Sequence, residues 1–494
     1  MTARTLLQMF QWYTPEGRLW NEVARRATEL ADLGITDLWL PPSGKGAGGA
    51  SSVGYDVYDL FDLGEFDQKG TIATKYGTRQ EFETASQAAR SAGLGLIHDG
   101  VFNHRMGADE VEDVRVRRVN PENRTEIDPD IVEARAHTRF TFPGRNGAHS
   151  EFVWDQACFS GIDRLDEPEE EGIFRIVNSY GNGDWDSEVD TENGNFDYLM
   201  GADVEFRNPA VYEELKFWGR WLSEQVSVAG FRLDAVKHIP AWFIRDWVGH
   251  CRETIDPDLL VIAEYWHSDL SALQTYLERV DHQLALFDVA LHHRFADASR
   301  AGGGFDLRTL LDGTLVAAHP DHAVTFVENH DTQPLQSLES PVEDWFKPLA
   351  YALILLREGG LPCLFLPDLD GAAYTGEGGD GKTYKIAIAP VACLPRLLEA
   401  RRRFAHGAQT DLFEAPDLIG FIRHGTESDP GCVVVLANGK GGAHSVTLGA
   451  DHAHAAYGDL LGHHPAEIVT DEAGQAEFCV SAGSVSVWVR KDTL

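Results

Sequence analysis

Long apolar runs are missing from this 494-residue chain, and no segment approaches the ~20 residues that a membrane-spanning helix requires. The N-terminal stretch MTARTLLQMFQWY lacks the apolar core of a signal peptide and enters a strand pattern almost at once, so a soluble, cytoplasmic protein is expected. Positive charge is also short. With 42 Lys and Arg against 78 Asp and Glu, the net charge of -36 argues against nucleic acid or an anionic membrane as a partner, since both would be repelled. Lysine supplies only 10 of the 42 cations. Such surfaces suit high salt, ordinary acidic cytoplasmic enzymes share them, and part of the acidity fits metal binding. The six cysteines are widely spaced, with neither metal-type pairing nor the density of a disulfide scaffold, and read as buried free thiols.

What the chain does have is a repeating alternation. Short apolar runs, TLLQMF, ITDLWL, LGLIHD, AGFRLD, LLVIAE, LALFDV, AVTFVEN and LPCLFL, give eight strand candidates. Helical periods fall between several of them, including NEVARRATELADLG, IPAWFIRDWVGHCRETI and WFKPLAYALILLREG; the first and last end at a Gly stop. Eight such units predict an α/β fold of the (β/α)8 barrel type, whose function gathers at the C-terminal ends of the strands.

Two regions break the rhythm. More than a hundred residues rich in Asp, Asn and Gly separate the third strand, ending near His104, from the fourth, beginning near Ala229, and predict an inserted strand-rich subdomain. Past about Gly407, short alternating runs (DLIGFIRHG, GCVVVLANG, HSVTLG, SVSVWVRK) predict an antiparallel β-sandwich. The expected division is a barrel over 1–104 and 207–397, an insert over 105–206 and a C-terminal β domain over 398–494.

Polar residues collect at the predicted strand ends. DGVFNH brings Asp99, Asn103 and His104; GFRLDAVKH brings Arg232 and Asp234; AEYW brings Glu264; FVENHD brings His330 and Asp331. On a strand, Arg232 and Asp234 share a face, and a carboxylate beside a guanidinium stays ionised. Each group alone reads as a structural polar residue. Four acidic strand ends meeting at one mouth point to acid/base chemistry.

DGVFNH, GFRLDAVKH, AEYW and FVENHD, in this order, resemble the four strand-end motifs of the alpha-amylases, in the large glycoside hydrolase family that also holds neopullulanases and branching enzymes. VGYDVYDLFDLGEF, NGNFDYLMGADVEF and NHDTQPLQSLES are similar to the bacterial liquefying-type branch. The resemblance spans essentially the whole chain. It implies endo-acting hydrolysis of α-1,4-glucosidic bonds in starch, glycogen or maltodextrins with retained configuration, by a monomer. Asp234 then matches the nucleophile, Glu264 the proton donor, and Asp331 the third carboxylate that grips sugar hydroxyls. His104 and His330 match residues at the cleaved bond, and Lys237 and His238 residues contacting the next glucose. The aromatic residues Trp12, Tyr55 and Trp266 suit stacking on sugar faces, whereas Tyr13 and Trp39 read as core.

The resemblance also implies Ca2+, held by Asn103, Asp197, Asp203 and the His238 carbonyl, with Asp163 and Asp186 matching ligands of further cations. One departure stands out. Where relatives carry two further acidic residues after Asp203, this chain has Glu205 and then Arg207, and a guanidinium at a ligand position repels a cation. GKGAGGA, Gly44 to Ala50, lacks the helix that a phosphate loop requires and reads as a flexible rim loop. FLPDLDG replaces the Tyr-Gly-Asp type of run after the eighth strand. A transglycosylating or maltooligosaccharide-forming enzyme carries the same catalytic residues; a noncatalytic glucan-binding homologue would lose at least one of Asp234, Glu264 and Asp331, and none is lost.

Overall fold

Each of the eight apolar runs forms a strand of one closed parallel barrel: β1 (Leu6–Gln8), β2 (Asp37–Trp39), β3 (Gly95–Gly100), β4 (Gly230–Leu233), β5 (Leu260–Ala263), β6 (Ala285–Phe287), β7 (Ala323–Phe326) and β8 (Leu361–Phe365). The computed structural model describes residues 4–493. Strands this short and apolar are buried on both faces, by the barrel interior and by the helices outside. Registers such as Arg232 beside Asp99 and Ile262 hold the polar strand ends at one level of the barrel mouth.

The helices follow from their periodicity. Helix Leu19–Leu33 buries Leu19, Trp20, Val23, Ala27 and Leu30 along one stripe and stops at Gly34, whose φ of 98° is a left-handed cap. Helix Arg79–Ser91 opens on a capping box made by Thr78 and Glu81. Helix Lys347–Leu356 corrects one expectation: it ends on extended Arg357, before Gly359 is reached. Its residues are buried almost all round, so packing rather than a glycine sets its length.

Between β3 and β4 lies a six-stranded antiparallel sheet in the order His104–Arg105, Ala202–Val204, Phe159–Asp166, Glu169–Ile176, Glu110–Val119, Val132–Arg139. Its first strand continues directly from the β3 loop, so the insert is anchored beside the barrel mouth. After β8, FLPDLDG forms a short helix, Leu366–Asp370, with Pro367 in its first turn, followed by a hairpin of Ala372–Glu377 and Thr383–Ile388. Helix Leu394–Arg403 runs through residue 398 before the C-terminal sheets begin. There a six-stranded sheet and a two-stranded ribbon enclose Val433, Val435, Phe478 and Trp488.

The GKGAGGA segment is not loose. Lys45 is buried, and its ammonium donates to the carbonyls of Thr71 (2.8 Å) and Ile72 (2.6 Å) and faces Asp62 at 3.3 Å. Five of the six free cysteines are buried and Cys479 is partly so. Among the described residues, no helix is long and apolar enough to cross a membrane.

Candidate active site

A cleft of about 640 Å³ opens at the C-terminal ends of the barrel strands, lined by Asp234, Glu264, Asp331, His104, His330, Tyr55 and Trp12 among others. At its floor lies Arg232, with a side chain only 1% exposed. One Arg232 nitrogen, Nη1, donates to Asp99 (2.9 Å) and Asp234 (2.5 Å), while Nη2 donates to Glu264. A single planar fork thus holds three carboxyl groups.

Local backbone explains the arrangement. β4 ends at Leu233, and Ala235 adopts a left-handed conformation with φ of 49°, uncommon for a residue with a Cβ. The chain then turns through the short helix Val236–His238. Asp234 is therefore held just beyond the strand, its amide bonded to the Gly100 carbonyl at 3.0 Å. Glu264 occupies the equivalent place after β5, its amide bonded to Leu233 O at 2.9 Å.

One guanidinium cannot neutralise four neighbouring carboxylates, so burial and mutual repulsion govern their protonation. Burial pushes the Glu264 carboxyl up to about 8, Arg232 pulls against this, and Asp234, Asp331 and Asp99 add to the rise. The same competition raises Asp331 to about 7 and Asp99 to about 6. Glu264 thus keeps its proton at neutral pH although it lies against a cation. Burial and the nearby Arg232 charge hold the His330 imidazole well below its usual range, and burial lowers His104, so both rings are neutral donors or acceptors.

The aromatic wall is ordered. Tyr55 donates to Asp99 (2.9 Å) and stacks on His330 at 5.1 Å, and Trp12 lies parallel to Tyr55 at 6.1 Å. Gln8 meets His330 Nδ1 at 3.0 Å, while Asn329 Oδ1 accepts from the amides of Asp331 and Thr332, both at 2.9 Å, shaping the loop that carries Asp331. Trp39 is fully buried, as expected; Tyr13 is only partly buried and stacks at 4.2 Å on Tyr374 of the hairpin after β8, so it is not a core residue.

Not every candidate reaches the cleft wall. Trp266 packs near His293 and Phe326, and Lys237 is nearly buried with its ammonium on Glu192. The His238 ring bonds Phe196 O at 2.8 Å, tying the β4 loop to the insert. Leu199 and Met200 of the insert and Ser337 and Leu338 of the β7 loop also line the cleft; nothing in their types or spacing marked them. Only the fold brings them there.

Beside the cleft, Asn103, Asp197 and Asp203 are all buried. Asn103 Nδ2 donates to Asp203 Oδ1 at 3.1 Å, while Asn103 Oδ1 is buried with no partner among the described residues. Asp197 accepts from the Asp186 amide at 3.0 Å. Hard oxygen donors with an orphaned amide oxygen fit a calcium ion. Among the described residues no group of three or more His, Cys, Asp and Glu side chains is arranged to hold a metal, and this set has only two carboxylates. Asp163 lies on the exposed side of its strand, accepting from the Gly201 amide at 2.9 Å. Asp186 faces Arg207 Nε at 3.9 Å. Glu205 is gripped by Arg207 (2.6 Å) and Arg175 (3.1 Å), which overcome its burial and hold its carboxyl below the usual range. A Cβ at Gly181, where φ is +64°, would run into the Arg207 guanidinium.

A closed parallel barrel whose strand ends gather Asp234, Glu264 and Asp331 in one aromatic-lined cleft defines a barrel enzyme equipped for acid/base chemistry. Residues 20–365 match the family described as "Alpha amylase, catalytic domain". The chain is 53% identical to the cytoplasmic alpha-amylase of Escherichia coli (strain K12), over 100% of both chains. It is 42% identical to the glucan 1,4-alpha-maltohexaosidase of Bacillus sp. (strain 707), over 99% of this chain and 93% of that one. In fold it is similar to the alpha-amylase from Geobacillus thermoleovorans complexed with acarbose, with a TM-score of 0.66 at 17% identity, over 99% and 98% of the two chains. The chain belongs to the alpha-amylase family and is a glycoside hydrolase that cleaves internal α-1,4-glucosidic bonds.

Proposed function

We propose that the enzyme hydrolyses soluble α-glucans, whether starch, glycogen or maltodextrins, by double displacement with retention. The carrying observation is the shared grip of Arg232 on Asp234 and Glu264 in the cleft. Retaining glycosidases need their two carboxyl groups only ~5 Å apart, and one guanidinium that touches both keeps them neighbours. Asp234 attacks the anomeric carbon as Glu264 gives its proton to the glycosidic oxygen, so the C–O bond breaks while a carboxylate ester forms. Glu264, now ionised, takes a proton from water, and the resulting hydroxyl displaces Asp234. Its raised carboxyl suits the acid role in the first step. Asp331, His104 and His330 hold the hydroxyls of the sugar at the cleaved bond; Trp12 and Tyr55 stack on glucose faces.

Lys237, His238 and Trp266 belong to subsites beyond the cleaved bond, reached by a longer glucan. Residues 105–206 form a calcium-binding subdomain, in which Asp197 and Asp203 with Asn103 and the His238 carbonyl would hold one ion, an oxygen cross-link between insert and barrel. At Asp186 the guanidinium of Arg207 takes the place of an added cation, as Arg175 and Arg207 do at Glu205, whereas Asp163 is partnered by the Gly201 amide. The reading includes a cytoplasmic location and a monomer, working without nucleic acid or membrane.

The relation to a maltohexaosidase favours a second reading, an enzyme releasing one dominant oligosaccharide. Chromatography of an early digest of soluble starch separates the two. A ladder of many chain lengths, with rapid loss of polymer size, is the expected result. One product dominating from the first minutes would select the second reading, and glucose released alone, with polymer size unchanged, would refute internal cleavage.

A further inference from the structure

Asp331 is aimed by its backbone. Its carboxylate lies 3.4 Å from His330 Nε2, too long for a firm hydrogen bond, so the turn that carries it decides where it points. That turn, Asn329 to Thr332, is closed by its own side chains: the Thr332 hydroxyl accepts from the Asn329 amide at 3.0 Å, while Asn329 Oδ1 accepts from the amides of Asp331 and Thr332. Glu328, only 3% exposed, supports it. Glu328 Oε2 accepts from the Thr332 hydroxyl at 2.7 Å and Oε1 from the Val342 amide at 2.6 Å, so one carboxyl clasps the turn and the far end of the β7 loop together. Lys347 Nζ lies 3.9 Å from Glu328 Oε1 and donates to Asp368 at 2.6 Å, and the Tyr351 hydroxyl donates to the other Asp368 oxygen at 2.6 Å. Asp368 is the first acid of FLPDLDG, fully buried in the short helix Leu366–Asp370.

Burial pushes the Glu328 carboxyl up to about 8, against the pull of Lys347, and Asp368 adds to the rise. The bond to Thr332 does not depend on that charge, because a protonated Oε2 donates to the same hydroxyl oxygen. A buried carboxyl beside an ion pair adds little stability over apolar packing; what it supplies is fixed geometry. We infer that Glu328 and Thr332 are positioning residues for the reaction, a buried clasp that aims Asp331 at the sugar, with the Lys347–Asp368 pair holding the clasp in place. The role rests on the reading of Asp331 as the carboxylate that grips sugar hydroxyls. Neither Glu328 nor Thr332 lines the cleft, and both act through Asp331. Because those hydroxyls are held most firmly in the distorted ring of the transition state, a misaimed Asp331 costs turnover more than binding.

The test compares full-chain variants acting on maltoheptaose, each with its fold checked by circular dichroism. Thr332→Val, close in shape but without the hydroxyl, should lower kcat by ~10-fold or more while KM stays within ~3-fold, whereas Thr332→Ser should keep near-normal turnover. If Thr332→Val does not fold, Thr332→Ala removes the same hydroxyl without demanding room and takes its place. Glu328→Gln, which can donate to the hydroxyl and accept from the Val342 amide, should retain most of the activity that Glu328→Met loses. Asp331→Asn should itself lose ~100-fold or more, and adding the Thr332 deletion to it should cost less than ~2-fold further, because the hydroxyl then has nothing left to aim. Full, independent losses in the double variant, normal turnover once the hydroxyl is gone, or a loss confined to KM would overturn the role of the clasp. Normal turnover in Asp331→Asn would instead refute the reading of Asp331, and the inference with it.

Discussion

Asp234→Asn and Glu264→Gln should each slow starch hydrolysis by ~10⁴-fold or more, while the melting temperature holds or rises. An amide at position 234 cannot form the glycosyl ester, and one at 264 has no proton of suitable acidity to give the leaving oxygen. The double variant should be scarcely slower than the worse single one, because groups acting in one step are not additive. Stability moves the other way. Four carboxylates crowd one guanidinium, so removing a charge relieves repulsion. For Glu264 the sign is fixed by its raised carboxyl: the folded protein holds the proton up to about 8, whereas an unfolded Glu releases it near ~4.3. Folding stability therefore falls as pH rises between those values, and Glu264→Gln escapes the loss. Its melting-temperature gain over wild type should grow from pH 5 to pH 8. Near-normal turnover in either variant, in a preparation free of other amylases, would refute the assignment.

The second large effect is expected from calcium. Chelation should lower the melting temperature by about 5 °C or more, and added calcium should restore it, since an ion that binds the folded state alone stabilises by mass action. The buried, unpartnered Asn103 Oδ1 is the local reason to expect this. Elemental analysis of dialysed protein should find one calcium and no full cluster, because Arg207 and Arg175 already supply positive charge to Glu205. Arg207→Asp should add a binding site and steepen the dependence of melting on calcium. A protein with no bound calcium and no response to chelator would contradict the first half; a full cation cluster in the wild type would contradict the second.

The barrel was legible because its strands are buried on both faces and so read as unbroken apolar runs, ITDLWL and LPCLFL being clear cases. Arg232 and Asp234 were legible as a pair because a two-residue spacing on a strand leaves little freedom; they do meet, although the strand ends one residue before Asp234. Loops carry no such period. The buried anchoring of Lys45 depends on the Thr71 and Ile72 carbonyls, more than twenty residues away. Leu199 and Met200 look like ordinary apolar residues in the sequence, and only the return of the insert toward the barrel mouth makes them cleft wall. Helix Lys347–Leu356 stops short of its glycine for the same kind of reason, packing overriding a local signal.

The roles of Asp234 and Glu264 are tested most directly by the configuration of the first product. Proton NMR during the first minutes of maltooligosaccharide hydrolysis distinguishes the two anomers before mutarotation mixes them. Double displacement through Asp234 predicts that the α-anomer appears first and the β-anomer only later. A β-anomer formed first would mean that water attacks the glycosidic carbon directly, and would contradict the account.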